Sequence, residues 1–537
     1  MASLRDLFWT NPEFIRHRRA ELRPARALTA ALVVIAICGL IALACWSFQE
    51  SELARAQAGL QAYGTEAWKH WVDTIEKNFA QKTWLLFYRW LIGIQGIALT
   101  FWTLFSCAQS VSGERDRKTW EFQRTTRLTS AEILTGKLLG EPVLLYFSML
   151  CATPITIVAG IAGGLSVGTV LSVWLFFLTT ALLLGLAGMW LSTLLESRTR
   201  GVGLIGALGI YGGVLAIYGM RESGLPGMAA LSPLSAIISL LGADPSPSRP
   251  ELAPVLFGRE VPWLVMNLLL CLLIGTWLVV MLVRNLKRDY PEIRPLSRWQ
   301  AVGCGASLNF LIYALLQPGR ANSIEGHAGW FADAKSVAVF AVAMNGLILF
   351  LVGLATLTPQ ERLKVWQRRR NLGQSRIFAD DGLSWPWLGM SAVVAYGLMI
   401  WGLLAWDHSL PLESRTLQTA AVQLLLVAVF VTRDVLFLQW CMLTRLRQPV
   451  VKGFMFLCLY YAAAAVIATL ATVMSANVGS WAVALLTPVG AFDPKVTGAA
   501  FPAPTYVGLA FQVGVIGLML VAISSRLQRP AQVGAAA

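Results

Sequence analysis

Residues Ser110–Glu141 read SVSGERDRKTWEFQRTTRLTSAEILTGKLLGE. This stretch carries charges of both signs, and it lies between two long apolar runs, Leu85–Ala108 and Val143–Leu165. A charge at the centre of a bilayer costs about 2.5–3.5 kcal/mol even on insertion scales, so hydrocarbon cannot hold it. The flanking runs have the length of about 20 residues that a spanning helix needs. The stretch is therefore expected to turn at a membrane surface, where water or a protein partner meets it.

The rest of the chain agrees with that reading. Of its 537 residues, 56% are hydrophobic and only 13% charged, with a mean hydropathy of +0.62. A soluble domain carries about a quarter charged residues. Apolar runs recur from Leu28–Phe48 to Tyr506–Ser524. They predict an all-α polytopic membrane protein with about twelve spans. The run Ala301–Gln317 is the shortest of them. Leu28–Phe48 is too long for the apolar core of a secretory signal, so it is expected to be a retained first span.

The net charge is +14. In a soluble protein that would suggest nucleic acid; here most Lys and Arg fall in the segments on one side of the predicted spans. Positive-inside bias then puts both termini in the cytoplasm and Gln49–Trp84 outside. No nucleic-acid partner is expected. RDLFWTNPEFIRHRRAELRPARAL, Arg5–Leu28, mixes apolar residues with Arg16, Arg18, Arg19, Arg23 and Arg26, as a helix lying against lipid head groups does.

The layout repeats. Residues 1–290 and 291–537 each show a basic lead-in, a span, an exterior loop, a span, a large basic loop and four further spans. Two parallel six-helix halves are the expected architecture. The glycines at 201, 203, 206, 209, 212 and 213 suggest close helix packing in the fifth span.

GERDRKTWEFQRTTRLTSAEILTGKLLG resembles the cytoplasmic segment of type-2 ATP-binding-cassette (ABC) exporter permeases. Glu114, Arg115, Asp116 and Arg117 match that family's charged run, with Thr119 and Glu121 following; Lys118 stands where the family has Gly. Thr129, Ser130, Glu132, Ile133, Gly136 and Lys137 match its second part, and Thr129 with Glu132 also has the spacing of a capping box. NPEFIRHRRAELR, from Asn11, is similar to the family's elbow helix. LESRTRGVG, from Leu195, and LSPLSAIISLL, from Leu231, resemble its fourth-to-fifth-span turn and its exterior re-entrant element. In the second half TPQERLKVWQRRRNLGQSRIFADDG, from Thr358, takes the equivalent place, with Glu361, Arg362, Lys364 and Trp366 echoing the run.

The resemblance implies a permease subunit of an exporter in a cell membrane, taken as the bacterial inner membrane. Separate ATPase subunits, two copies, would contact Glu114–Arg117, Thr119, Trp120, Glu121 and the second-half residues. Trp120 and Phe122 are expected to anchor a helix lying flat under the membrane. This chain is expected to bind no cofactor and to be no enzyme; ATP and Mg belong to the partner. GxxxxGK[ST] is absent, CxxC is absent, and the four histidines have no metal-ligand spacing. A twelve-span secondary transporter of the major-facilitator type is the alternative. Intramembrane polar candidates are Gln95, Asn345, Gln423, Arg433 and Asp434, as a substrate path or as glue between helices.

Overall fold

A computed structural model of the chain describes residues 11–194, 200–222, 226–240, 254–257, 259–288, 294–315, 334–373, 378, 381–406, 414–444, 449–488 and 503–528. The turn at Leu195–Thr199 and much of the segments after Leu240 and Leu486 lie outside those residues. Two compact units divide the chain, Met1–Ile293 and Arg294–Ala537.

Among its described residues the first unit is built of helices and one short hairpin, in which the two-residue strands β1 (Val255–Leu256) and β2 (Arg259–Glu260) pair. Its helices are α1 (Pro12–Glu21), α2 (Pro24–Tyr63), α3 (Glu66–Lys77), α4 (Phe79–Asp116), α5 (Trp120–Thr125), α6 (Ser130–Gly140), α7 (Val143–Ala162), α8 (Val167–Leu194), α9 (Arg200–Ala216), α10 (Pro233–Leu240) and α11 (Trp263–Asn285). Without water to satisfy backbone groups, apolar runs of this length fold as helices. The central pair is α4 and α8, each about half buried along its apolar window; α2, α7 and α11 form a more exposed rim. Small residues permit the close pairing: a side chain at Gly188 would meet the Leu104 carbonyl, and one at Gly96 the Phe177 ring.

The second unit contains α12 (Arg298–Leu315), α13 (Ala334–Ala355), α14 (Gln360–Asn371), α15 (Trp385–Trp406), α16 (Ser414–Met442), α17 (Pro449–Met474), α18 (Ala476–Leu486) and α19 (Ala503–Gln528). The α13 and α14 axes meet at 79°, so α14 leaves the direction of the span. Its Leu363 packs into a cluster with Leu436, Leu443, Ile523 and Leu527.

Among the described residues, eight helices are long and apolar enough to cross a membrane: α2, α4, α7, α8, α11, α16, α17 and α19. The other four expected spans coincide with α9, α12, α13 and α15. The chain is an all-α polytopic membrane protein.

Three local expectations need correction. Gln49–Trp84 is a helical hairpin: α2 continues to Tyr63, and α3 returns along it with Val72 and Ile75 buried against Ala56. The glycine-rich face of α9 is mostly unpacked. Gly206 meets Leu191, but a side chain at Gly209, Gly212 or Gly213 would touch nothing within 4 Å. Finally, Glu114–Asp116 do not open a flat helix but form the last turn of α4. That helix gains a hydrogen bond for each added residue, so it runs beyond the apolar segment until the backbone is forced to turn.

The turn is made at Lys118, whose φ is +58°. A non-glycine residue in this left-handed region is strained by about 1–2 kcal/mol. After allowance for the greater freedom of glycine in the unfolded chain, Lys118→Gly is expected to stabilise the protein by about 0.5–1 kcal/mol. The midpoint of thermal unfolding in detergent checks this; a lower midpoint would refute it.

Candidate functional site

The segment from Ser110 to Glu141 folds as the end of α4, a sharp turn, the short α5 and then α6. Thr129 caps α6 by accepting from the Glu132 N–H at 3.2 Å, while the Thr129 N–H donates to the Glu132 carboxylate at 2.6 Å. The capping box read from the sequence is formed.

Helix α1 lies on α6. Asn11 caps α1 through its side-chain oxygen, which accepts from the Glu13 and Phe14 N–H groups. Its Nδ2 donates to the Glu132 carbonyl of α6 at 2.7 Å. Two glycines one helical turn apart make room. A Cβ on Gly136 would come within 2.6 Å of Glu13, and one on Gly140 within 2.9 Å of His17.

A buried ionic knot fills the junction of α1, α4, α5 and α6. Lys137, with no exposed surface, places Nζ 2.6 Å from Glu114 Oε2 and 3.6 Å from Glu13 Oε1. Arg16 reaches the same two carboxylates, each at 2.7 Å. Gln123 of α5 donates to Glu114 at 2.7 Å. Lys137 also lies 5.7 Å from the centre of the Trp120 ring. His17 is 3.3 Å from Glu13 and 3.8 Å from Glu141.

The charges shift the carboxyls in opposite directions. Burial raises the Glu13 pKa, but the His17 hydrogen bond and the charges of Lys137 and Arg16 outweigh it and hold the group below its ordinary value. Glu13 thus contributes stability at neutral pH that is lost as pH falls through its lowered pKa. Burial dominates at Glu141 and raises its pKa against the nearby charge of Lys137. Protonating Glu141 relieves that cost as pH falls through the raised value.

The expected contact residues of this segment fall into separate groups. Glu114 and Trp120 point inward: Trp120 packs with Cys107, Val111, Ile133, Leu282 and Leu286. Arg115 donates to the Thr193 carbonyl of α8 at 3.1 Å, and Asp116 is half-buried beside it. Arg117 and Thr119 line a cleft next to α1. Glu121 is exposed and pairs with Arg124 at 2.8 Å. Phe122 is 74% exposed. Of the two expected aromatic anchors, Trp120 therefore faces this chain and Phe122 faces away from it.

In the second unit α14 carries Glu361, exposed, and Lys364, half-buried. Arg362 lies 4.0 Å from Asp381. Trp366 is buried, with the Arg370 guanidinium 5.4 Å from the centre of its ring. The brace near this helix is different. Buried Arg298 donates to the carbonyls of Leu383, Thr356 and Gly382 and to Thr358 Oγ1.

Of the intramembrane polar candidates, Gln95, Asn345, Arg433 and Asp434 join helices. Gln95 of α4 and Thr156 of α7 exchange hydrogen bonds at 3.0 and 3.1 Å. Asn345 of α13 donates to Asn309 of α12 at 2.8 Å. Gln423 is buried in α16. Arg433 bonds Asp434, Tyr460, Tyr461 and Gln512 and lies against the rings of Phe430 and Tyr460.

Sequence reasoning passed over Gln123, Asn267 and Arg298 and did not connect Glu13 and Arg16 with the charged run. Asn267 of α11 joins Thr180 of α8 at 3.1 Å and the Ala230 carbonyl at 2.7 Å. The available signal was a polar residue within an apolar run, as at Asn267, or a lysine inside an otherwise apolar turn, as at Lys137.

Residues 12–243 match the family model described as ABC-2 type transporter. No curated protein and no solved structure matches the chain significantly.

Proposed function

We propose that the chain, whose residues 12–243 match the ABC-2 type transporter family, is a membrane permease of an ABC transporter, and that separate ATPase subunits drive it through the surface around α5. The observation that carries this reading is the two-sidedness of α5. Its inner side, Trp120 and Gln123, is buried against α4, α6 and Glu114. Its outer side leaves Phe122 uncovered.

A push on Phe122 would act on more than α5. Gln123, Glu114, Lys137, Glu13 and Arg16 join α5 to the end of span α4, to α6 and to α1. Those elements would move as one body and carry a rigid rotation into α4. The charged run thus couples the helices internally, and Phe122 with Glu121 meets the ATPase. In the second unit α14 takes the corresponding place, with Glu361, Arg362 and Lys364 toward the partner and Trp366 as its inner anchor. Two ATPase subunits with their ATP and Mg supply the energy, and the direction is export across a bacterial inner membrane. No observation favours a secondary transporter.

Buried aromatic anchors at interfaces lose about 2 kcal/mol or more on truncation. Phe122→Ala is expected to weaken ATPase binding about thirtyfold and to leave the unfolding midpoint of the permease unchanged. Titration of the purified ATPase onto the permease in nanodiscs reads this. Equal affinity for both permeases would remove α5 as the coupling surface.

The topology has its own test. With both termini cytoplasmic, a membrane-impermeant thiol reagent added outside labels Ala58→Cys and misses Ser130→Cys. The reverse pattern would invert the protein.

A further inference from the structure

A cleft of about 620 Å³ opens beside α1, where α4 passes from apolar to charged residues. Sites for small molecules and cofactors commonly occupy about 300–1,000 Å³. One part is apolar: Trp102 and Phe105 of α4 line it, their rings 6.1 Å apart, and Trp102 is 51% exposed. The other part is charged and includes Arg16, His17, Arg117 and Glu141.

Most of the charged groups are already engaged. Arg16 holds Glu13 and Glu114, and Glu114 is also held by Lys137. Glu21, on the rim, has Arg26 at 3.3 Å. Two groups keep capacity for a ligand. Arg117 is exposed and has no carboxylate partner among the described residues. Glu141 has the His17 ring at 3.8 Å, and burial raises its pKa against the nearby charge of Lys137. A simple anion entering the cleft would meet Glu141, Glu21 and Glu114. A simple cation would meet Arg16 and Arg117. A head group bearing both charges complements both sets. The apolar wall, exposed at Trp102, requires that head group to carry a hydrocarbon chain.

We propose that this cleft binds a zwitterionic phospholipid with a primary ammonium, its phosphate on Arg117, its ammonium on Glu141 and an acyl chain along Trp102 and Phe105. A primary ammonium presents three N–H donors to the carboxylate, whereas a quaternary ammonium presents none. The inference depends on α4 crossing the membrane; it does not depend on ATPase coupling.

The test uses the full chain in nanodiscs containing photoreactive phosphatidylethanolamine, phosphatidylcholine or phosphatidylglycerol at equal amounts. Labelled peptides are read by mass spectrometry. Phosphatidylethanolamine is expected to label the 102–109 segment about tenfold more than either other lipid. Arg117→Gln and Glu141→Gln are each expected to lower that labelling about tenfold, with unfolding midpoints no lower than that of the parent. If one variant does not fold, the other decides. Phe122→Ala, which alters the proposed ATPase surface, is expected to keep the lipid labelling, so the two ideas fail separately. Equal labelling by all three lipids, stronger labelling by phosphatidylglycerol, or undiminished labelling in the folded variants would overturn the proposal.

Discussion

Lys137→Met is expected to destabilise the first unit by about 3–5 kcal/mol, the cost of leaving buried charge uncompensated. The methionine keeps the length and the helix propensity of lysine, so the loss reports charge. Lys137 is fully buried, with Glu114 at 2.6 Å and Glu13 at 3.6 Å. After the change Arg16, half in solvent, is the cation that remains between those carboxylates. Adding Glu114→Gln removes one unpaired charge and keeps an acceptor for Gln123, so the double variant is expected to recover a large share of the loss. Unfolding midpoints of the two single variants and the double variant, compared as a cycle, measure the coupling. A Lys137→Met loss below about 1 kcal/mol would mean that the knot behaves as a solvated surface cluster. The same geometry shows why reversing Glu114 is a poor probe of an ATPase contact. It would place a lysine beside Lys137 and Arg16 and disturb the fold first.

Asp434→Ala is expected to cost the second unit a similar amount, about 3–5 kcal/mol. Asp434 accepts two hydrogen bonds from Arg433, at 2.9 and 2.7 Å, and one from Tyr461. Without it the guanidinium would retain Tyr460, Tyr461, Gln512 and the aromatic rings but no counter-charge. Both residues lie within an apolar span, where an unpaired charge is expensive. Replacing both with leucine is expected to cost less than Asp434→Ala alone, because no charge is left behind. Detergent unfolding of the purified protein compares them. A double variant less stable than Asp434→Ala would show that the hydrogen bonds of Arg433 to α17 and α19 matter more than its charge.

Much of the architecture could be read directly from the chain. A bilayer selects apolar runs of about 20 residues whatever their neighbours, so the helices appeared where hydropathy put them. The Thr129–Glu132 cap was equally legible, because it links residues three apart. The polar stretch at Ser110–Glu141 was legible as a break between two apolar runs, because its charges are costly in hydrocarbon.

What these charges do was decided by tertiary structure. Glu114 looks like an exposed member of a charged run, yet it meets Arg16 from 98 residues earlier, and Lys137 closes the other side. Gly136 and Lys137 read as two letters of a motif; in the fold the glycine admits α1 and the lysine neutralises what α1 brings. Trp120 and Phe122 are two residues apart and equally apolar, but one is buried and the other exposed. Sequence by itself determined the spans and the local cap, since these depend on hydration and on neighbours along the chain. Which charges are buried, and which face stays open to a partner, was decided only when distant helices met, because burial depends on what lies across the contact.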